Sequence, residues 1–315
     1  MSRSHLTRAA RAAVLAAAAA FACGLATAPV QAAAPQVKTQ APGWFRMPLG
    51  DFEVTALSDG FFDLPVDKIL KQPAAKTEAA LSRAFLKLPV ETSVNGFLVN
   101  TGSRLVLIDT GTGGLEGPTS GTLVANLRAA GYTPEQVDDV LITHDHGDHA
   151  GGLAHDGAAV FPNATIHVGK GDLPHYTDAA AGDKTAFAAA APYVAAHRLQ
   201  AIEADGPIVP GIRAWGTPGH TPGHTSYVIE SRGERMIVLG DLIHVGAVQM
   251  DDPTVTVSFD TDERAAEAQR RKVFGQAAHD GTWIAAAHLQ FPGIGHLAVE
   301  GKGYRYVPVN YLHQR

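Results

Sequence analysis

Over short runs in the first third of the chain, hydrophobic positions alternate with polar ones. Residues 52–57, 93–100 and 104–109 carry this two-residue period, punctuated by Gly60, Gly96 and Gly102, which predicts consecutive short strands in an antiparallel sheet. Residues 76–88 switch to helical spacing, with Ala80, Leu81, Ala84, Phe85 and Leu88 on one face between Pro73 and Pro89. Pro118 and Thr119 open a second predicted helix, whose Leu123, Val124 and Leu127 form one apolar face ending at Gly131. Further along, the pattern predicts a strand at 164–168, an Ala-rich helix over 184–197, and strands at 208–214, 226–229 and 236–239. A helix is expected over 261–278, with Thr261 as its cap, Asp262 and Glu263 in its first turn, and Arg270, Arg271 and Lys272 further on. Strands followed by a helix, twice over, indicate an α+β fold of two sheets packed face to face with helices outside.

Composition sets the bounds. Of 315 residues, 45% are hydrophobic and 18% charged, as expected for a soluble globular protein with one large domain. Residues 1–32 read as a signal peptide: Arg3, Arg8 and Arg11 precede an apolar run over 12–25, and Val30, Gln31 and Ala32 offer a small-residue cleavage site. A membrane anchor needs roughly 20 apolar residues, and this run is shorter. The expectation is therefore export, to the periplasm or the medium, without an anchor. Residues 33–48, rich in Ala, Gln and Pro, read as an extended leader, and 49–315 as the folded domain. The one cysteine, Cys23, falls in the signal peptide, so the exported chain has no disulfide. Without Arg3, Arg8 and Arg11, the 25 basic residues become 22 against 31 acidic ones, a formal charge of −9 that argues against nucleic acid as a partner.

The chemistry is concentrated in residues 139–153, DVLITHDHGDHAGGL. A β-type run, Val140 to Ile142, stops at His144, Asp145, His146, Gly147, Asp148 and His149. In an extended segment residues i and i+2 point the same way, so His144 and His146 can chelate one ion. Asp148 and His149, past the Gly147 bend, turn toward a second position. Asp145, between the ligands, is expected to face away. Three further places end apolar strands or rigid turns: His220 and His224 in GTPGHTPGH, Asp241 after Ile237-Val238-Leu239, and His288 after three alanines.

With these residues the chain resembles the metallo-β-lactamase superfamily, and within it the methyl parathion hydrolase branch with its lactonase and arylesterase relatives. The resemblance is carried by GDFEVTALSDG from Gly50, ETSVNGFLVNTGSRLVLIDTG from Glu91, GDLIHVGAVQMDDP from Gly240 and HLQFPGIGHLAVEGKGYRYVPVNY from His288. It implies an αββα sandwich of two mixed sheets and a dinuclear centre. His144, His146 and His220 would hold one ion, Asp148, His149 and His288 the other, and Asp241 would bridge them. His224 matches a position that is not a ligand, and Asp109 one that supports the ligands from behind. Relatives of this branch are commonly dimers, which implies a homodimer here.

Imidazole and carboxylate ligands suit two divalent ions, Zn²⁺ first, with Mn²⁺, Co²⁺ or Fe²⁺ also admitted. Two such ions can share a water, lower its pKa and present hydroxide to an electrophile, so the expected activity is hydrolysis of a small ester, lactone or triester. Asp241 argues against a true β-lactamase, which typically has cysteine or serine there. A glyoxalase-type thioesterase is expected to lack the long carboxy-terminal match. Within the branch, Ile69, His244 and Phe259 align where organophosphate-specialised enzymes have arginine, leucine and leucine, and Glu116 replaces a pocket aromatic. His244 stands where N-acyl homoserine lactonases place a tyrosine against the substrate, which implies a catalytic donor beside Asp241. Lactones or aryl esters are thus the expected substrates, with triester hydrolysis as a side activity. An organophosphate hydrolase is the alternative, and a catalytically silent metal-binding protein is the reading outside enzymes. The signal-peptide reading predicts a mature amino terminus near Ala33; intact Met1 on protein recovered from its own cells would refute it.

Overall fold

Two seven-stranded mixed sheets lie face to face in this computed structural model, which describes residues 34, 36–181 and 184–311. The first sheet comprises β1 (Trp44–Leu49), β2 (Phe52–Leu64), β3 (Val90–Asn100), β4 (Leu105–Ile108) and β5 (Asp139–Leu141). After a small hairpin of β6 (Ala154–His155) and β7 (Ala158–Ala159), it is completed by β8 (Thr165–Gly169) and β9 (Leu199–Ile202). Pairing is antiparallel as far as β4 and parallel from β4 to β9. The second sheet runs in chain order through β10 (Asp205–Val209), β11 (Ile212–Gly216), β12 (Thr225–Ser231), β13 (Glu234–Val238), β14 (Trp283–Ala285), β15 (Ile294–Glu300) and β16 (Gly303–Pro308). Its β13–β14 pair is parallel and the rest antiparallel.

The period of two sorts side chains between layers. In β4, Val106 and Ile108 enter the core between the sheets, while Leu105 and Leu107 join the cluster under the outer helices. Likewise Tyr227, Ile229, Met236 and Val238 face the first sheet, and Val228 and Ile237 face outward. Leu123–Ala129 and Lys184–Ala195 cover the first sheet through Leu123, Leu127, Ala186 and Tyr193. Glu263–Asp280 covers the second through Val273, Phe274 and Ala277. The four layers are those of the expected αββα sandwich.

Several boundaries differ from the sequence reading, each for a local reason. Trp44–Leu49, all but its last residue assigned to the leader, is β1: Phe45, Met47 and Leu49 are buried in alternation, and the strand pairs with β2. The compact unit accordingly begins at Pro42. The signal-peptide residues 1–32 and Cys23 lie outside the described residues. The helix expected to reach 88 ends at Arg83, because Leu88 precedes a proline and Phe85 turns to a φ of +58°; Phe85 is left 94% exposed. Gly121, at φ +86°, delays the next helix to Leu123. The expected strand 208–214 is a hairpin, broken where Gly211 takes a φ of +84°. Asp262, not Thr261, caps the long helix by accepting from the Ala265 N–H, and Gly281 in the left-handed region ends it.

One ion cluster anchors the strand that leads into the metal loop. Asp139 on β5 accepts from Arg104 Nε at 2.9 Å and from His167 Nε2 at 2.9 Å. Burial would raise its pKa, but the hydrogen bonds from His167 and Arg104 outweigh this and hold it below the ordinary value. With a depressed folded pKa, the stabilisation is complete above the unfolded value of about 4 and is lost as pH falls through the folded one. Asp139→Asn should therefore cost about 2 kcal/mol at pH 7 in urea unfolding. The penalty should narrow as pH drops below about 4; one that stays equal at neutral and acid pH would show that the charge is not what matters.

Candidate metal centre

Because β4 with β5, and β13 with β14, are parallel pairs, their carboxyl ends lie side by side, and the loops leaving them converge. Asp109 follows β4, His144 to His149 follow β5, Asp241 follows β13 and His288 follows β14. His220 arrives on the loop from β11 to β12, which is tied to the β5 loop by Thr225 N–H donating to Thr143 O at 2.8 Å.

The chain brings together the expected residues in two groups. His144, His146, His220 and Asp241 form one; Asp148, His149 and His288 form the other. Asp241 spans them. Its Oδ2 is 3.3 Å from His220 Nε2 and 3.6 Å from His144 Nε2, while its Oδ1 is 3.1 Å from His149 Nε2 and 3.2 Å from His288 Nε2. Asp148 Oδ2 closes the second group at 3.3 Å from His288 Nε2. A tetrahedral centre with bonds of roughly 2.1 Å separates its ligand atoms by roughly 3.4 Å, so these spacings fit cations between the donors. His144 Nε2, His149 Nε2 and Asp241 Oδ1 are buried with no hydrogen-bond partner, which suits the same conclusion.

The ring nitrogens turned away from the centre are nearly all fixed. Asp109, held at a φ of +59°, accepts from Thr143 N at 2.8 Å, from Thr143 Oγ1 at 2.9 Å and from His149 Nδ1 at 2.9 Å. His220 Nδ1 donates to Asp260 at 2.8 Å, and His288 Nδ1 to the Ser93 carbonyl at 2.9 Å. Such partners set each ring's tautomer and aim. His224 belongs to neither group: its Nε2 accepts from the Asp241 N–H at 2.9 Å, and burial pulls its pKa to about 3, so it stays neutral. Gly240, at φ +57°, lets this happen, since a Cβ there would meet His224 Nε2 at 2.6 Å.

Charge is what the arrangement has in excess. Burial would raise the Asp241 carboxyl, but the imidazoles around it, His149 first, hold it well below the carboxylate range. Burial would likewise lower His220, yet Asp241 and Asp260 lift it to about 9. Metals compete with those protons for the same atoms, so their binding releases protons.

Beyond the ligands, the loop after Asp241 is held by buried polar side chains that sequence reasoning missed. Gln249 Oε1 accepts from His244 N at 2.8 Å and from Val245 N at 3.0 Å. Arg270 is fully buried on the long helix and forms no ion pair among the described residues; it donates to the carbonyls of Leu242, Pro253 and Val255. Asp145 does face away from the ligand groups, toward His175 Nδ1 at 2.5 Å.

A cavity of about 330 Å³ opens over the centre. Phe62, Leu64 and Phe259 form its apolar wall, and Glu116, Asp63 and His244 its polar parts. His244 is buried, with Nε2 3.1 Å from Asp241 Oδ2 and neither ring nitrogen in a hydrogen bond. Its ring lies 4.9 Å from that of His220 and stacks on His288 at 5.7 Å. Burial, against the pull of Asp241, lowers its pKa to about 4. Ile69, expected in the pocket, is not part of its lining. It is buried with Leu70, Leu81, Val255 and Val257 in an apolar cluster, so it packs behind the pocket rather than lining it.

A family model for the metallo-beta-lactamase superfamily matches residues 89–288. Among solved structures, a hydrolase of the beta lactamase superfamily, AbOPH, is 36% identical with a TM-score of 0.82, over 87% of this chain and 100% of that one. AidC, a dizinc quorum-quenching lactonase, is 26% identical with a TM-score of 0.78, over 86% of this chain and 99% of that one. An N-acyl homoserine lactonase of Bacillus cereus is 29% identical over 150 residues, 48% of this chain and 56% of that protein, so the chain spans little more than half of this relative. The two ligand groups and the dizinc neighbour together support two divalent metals.

His149→Ala and His288→Ala should each bind about one ion per chain instead of two, because each removes a donor from the Asp148 group and neither side chain belongs to an apolar cluster. Metal analysis of the purified variants, with circular dichroism to confirm the fold, checks this. Two ions in either variant would remove that histidine from the centre.

Proposed function

This chain belongs to the metallo-beta-lactamase superfamily, and on that premise we propose that it is a dinuclear, zinc-loaded hydrolase of lactones and aryl esters. The observation that carries this reading is His244: a buried imidazole whose Nε2 stands 3.1 Å from the carboxylate that spans the two ligand groups, on the wall of a cavity sized for a small ester. Lactonase relatives lend support.

When bound, the two metals supply an acidified water and polarise the acyl oxygen. The chain's own residues do the rest. Phe62, Leu64 and Phe259 receive the apolar part of the substrate and keep water from it. Asp241, fixed through its N–H by His224, keeps the two ligand groups in register with the acyl carbon. The N–H of the neutral His244 imidazole donates a hydrogen bond to the oxygen that gains charge as the acyl carbon becomes tetrahedral. Gln249 and Arg270 hold the His244 backbone and the loop around it, so the ring does not have to be ordered during the reaction.

His244→Leu should lower kcat/KM for lactones by about 100-fold, the scale of one lost oxyanion donor. Hydrolysis of paraoxon-type triesters, whose leaving group needs no proton, should be unchanged or improved. The comparison is made on a lactone, aryl-ester and triester panel with zinc-loaded protein, and metal analysis must still find two ions in the variant. Equal losses on all substrates would remove His244 from the mechanism. A parent enzyme that cleaves triesters far better than lactones would favour the organophosphate reading.

A further inference from the structure

We propose that Glu116, assisted by Asp63, is a charge filter at the mouth of the cavity, admitting neutral esters and expelling the carboxylate they become. This rests on the ester and lactone reading above. Both side chains are exposed, both line the cavity over the centre, and no lysine or arginine does so among the described residues. Neither is in an ion pair among the described residues. Asp63 also borders a neighbouring groove, where Lys87 is offset by Glu91.

The need for a filter comes from the balance of charge. Two divalent cations outweigh the two carboxylates, Asp148 and Asp241, that stand among their ligands, so the loaded centre attracts anions. In ester hydrolysis one water adds to the acyl carbon and the acyl C–O bond breaks. The alcohol oxygen keeps one proton, and the acid gives its other proton to solvent at neutral pH. A neutral substrate thus becomes an anion with a carboxylate that suits the centre as a ligand, and product would linger. Two uncompensated carboxylates lining the same cavity oppose this, most strongly at low ionic strength, since charges are screened over a Debye length of about 10 Å at 0.1 M salt. The same rim disfavours substrates that are already anionic, such as carboxylate-bearing β-lactams or thioesters of acidic peptides. Ester and lactone hydrolases of this fold could otherwise share a ligand set with such enzymes, and the rim is where they would part.

The test is direct binding, by calorimetry at low ionic strength, of hexanoate and of the isosteric neutral hexanamide to the metal-loaded full chain. Glu116→Gln should raise the hexanoate to hexanamide affinity ratio about threefold and Glu116→Lys about tenfold, with both gains shrinking in about 0.5 M salt. Asp63→Asn should shift the ratio in the same direction. A ratio equal in parent, Gln and Lys proteins at low salt overturns the proposal. A shifted ratio in an enzyme that opens no lactone or ester would uphold the filter while sinking the substrate reading, so the two fail separately.

Discussion

Everything in this structure answers to one carboxylate. Asp241 is buried among five imidazoles that lie within 3.6 Å of its oxygens, with a second carboxylate close by. Buried ionised groups are tolerated only when paired or bound to metal, and here the pairing comes from donors on four separate loops. A sandwich of two sheets whose parallel pairs end side by side brings such loops together without long, structureless connections. The fold's contribution to function is this convergence.

The convergence is kept rigid by backbone contacts as much as by side chains. Asp241 is aimed by its own N–H on His224, His288 by the Ser93 carbonyl, and the loop that carries His244 by Gln249. Asp109 sits at positive φ, where a residue with a Cβ gives up conformational ease to bring the loops into contact, and Gly240 takes a similar φ that glycine adopts freely. Strain of this kind is stable only inside a well-packed frame, and the three apolar clusters that fill the layers provide it.

The centre was legible in the sequence because its densest part is local. Four potential ligands within six residues after an apolar run leave few other readings, and Asp241 and His288 each end a strand. The layers were legible for the same reason, since a period of two or of 3.6 is written within a few residues. What acts at long range was not. Asp260 meets His220 across 40 positions and Arg270 meets Leu242 across 28, with nothing in the local pattern to mark either. Local rules also misled: Phe85 and Leu88 keep helical spacing after the helix has ended, and Phe45, Met47 and Leu49 alternate in a stretch that Pro48 and the preceding Ala-rich segment disguise. Ile69 aligns with a pocket position, yet packing alone decides which side of the wall its side chain takes.

Arg270 grips main-chain oxygens and no side chain of the loop it holds. Its hold on that loop is therefore indifferent to which side chains the intervening residues carry. Residues such as Phe259, just beyond the last gripped carbonyl, can be exchanged without loosening the path that presents Asp241. A lineage built this way can try new substrates through its wall while its metal chemistry stays where it was, so changes of specificity and loss of the metal centre become separate evolutionary events.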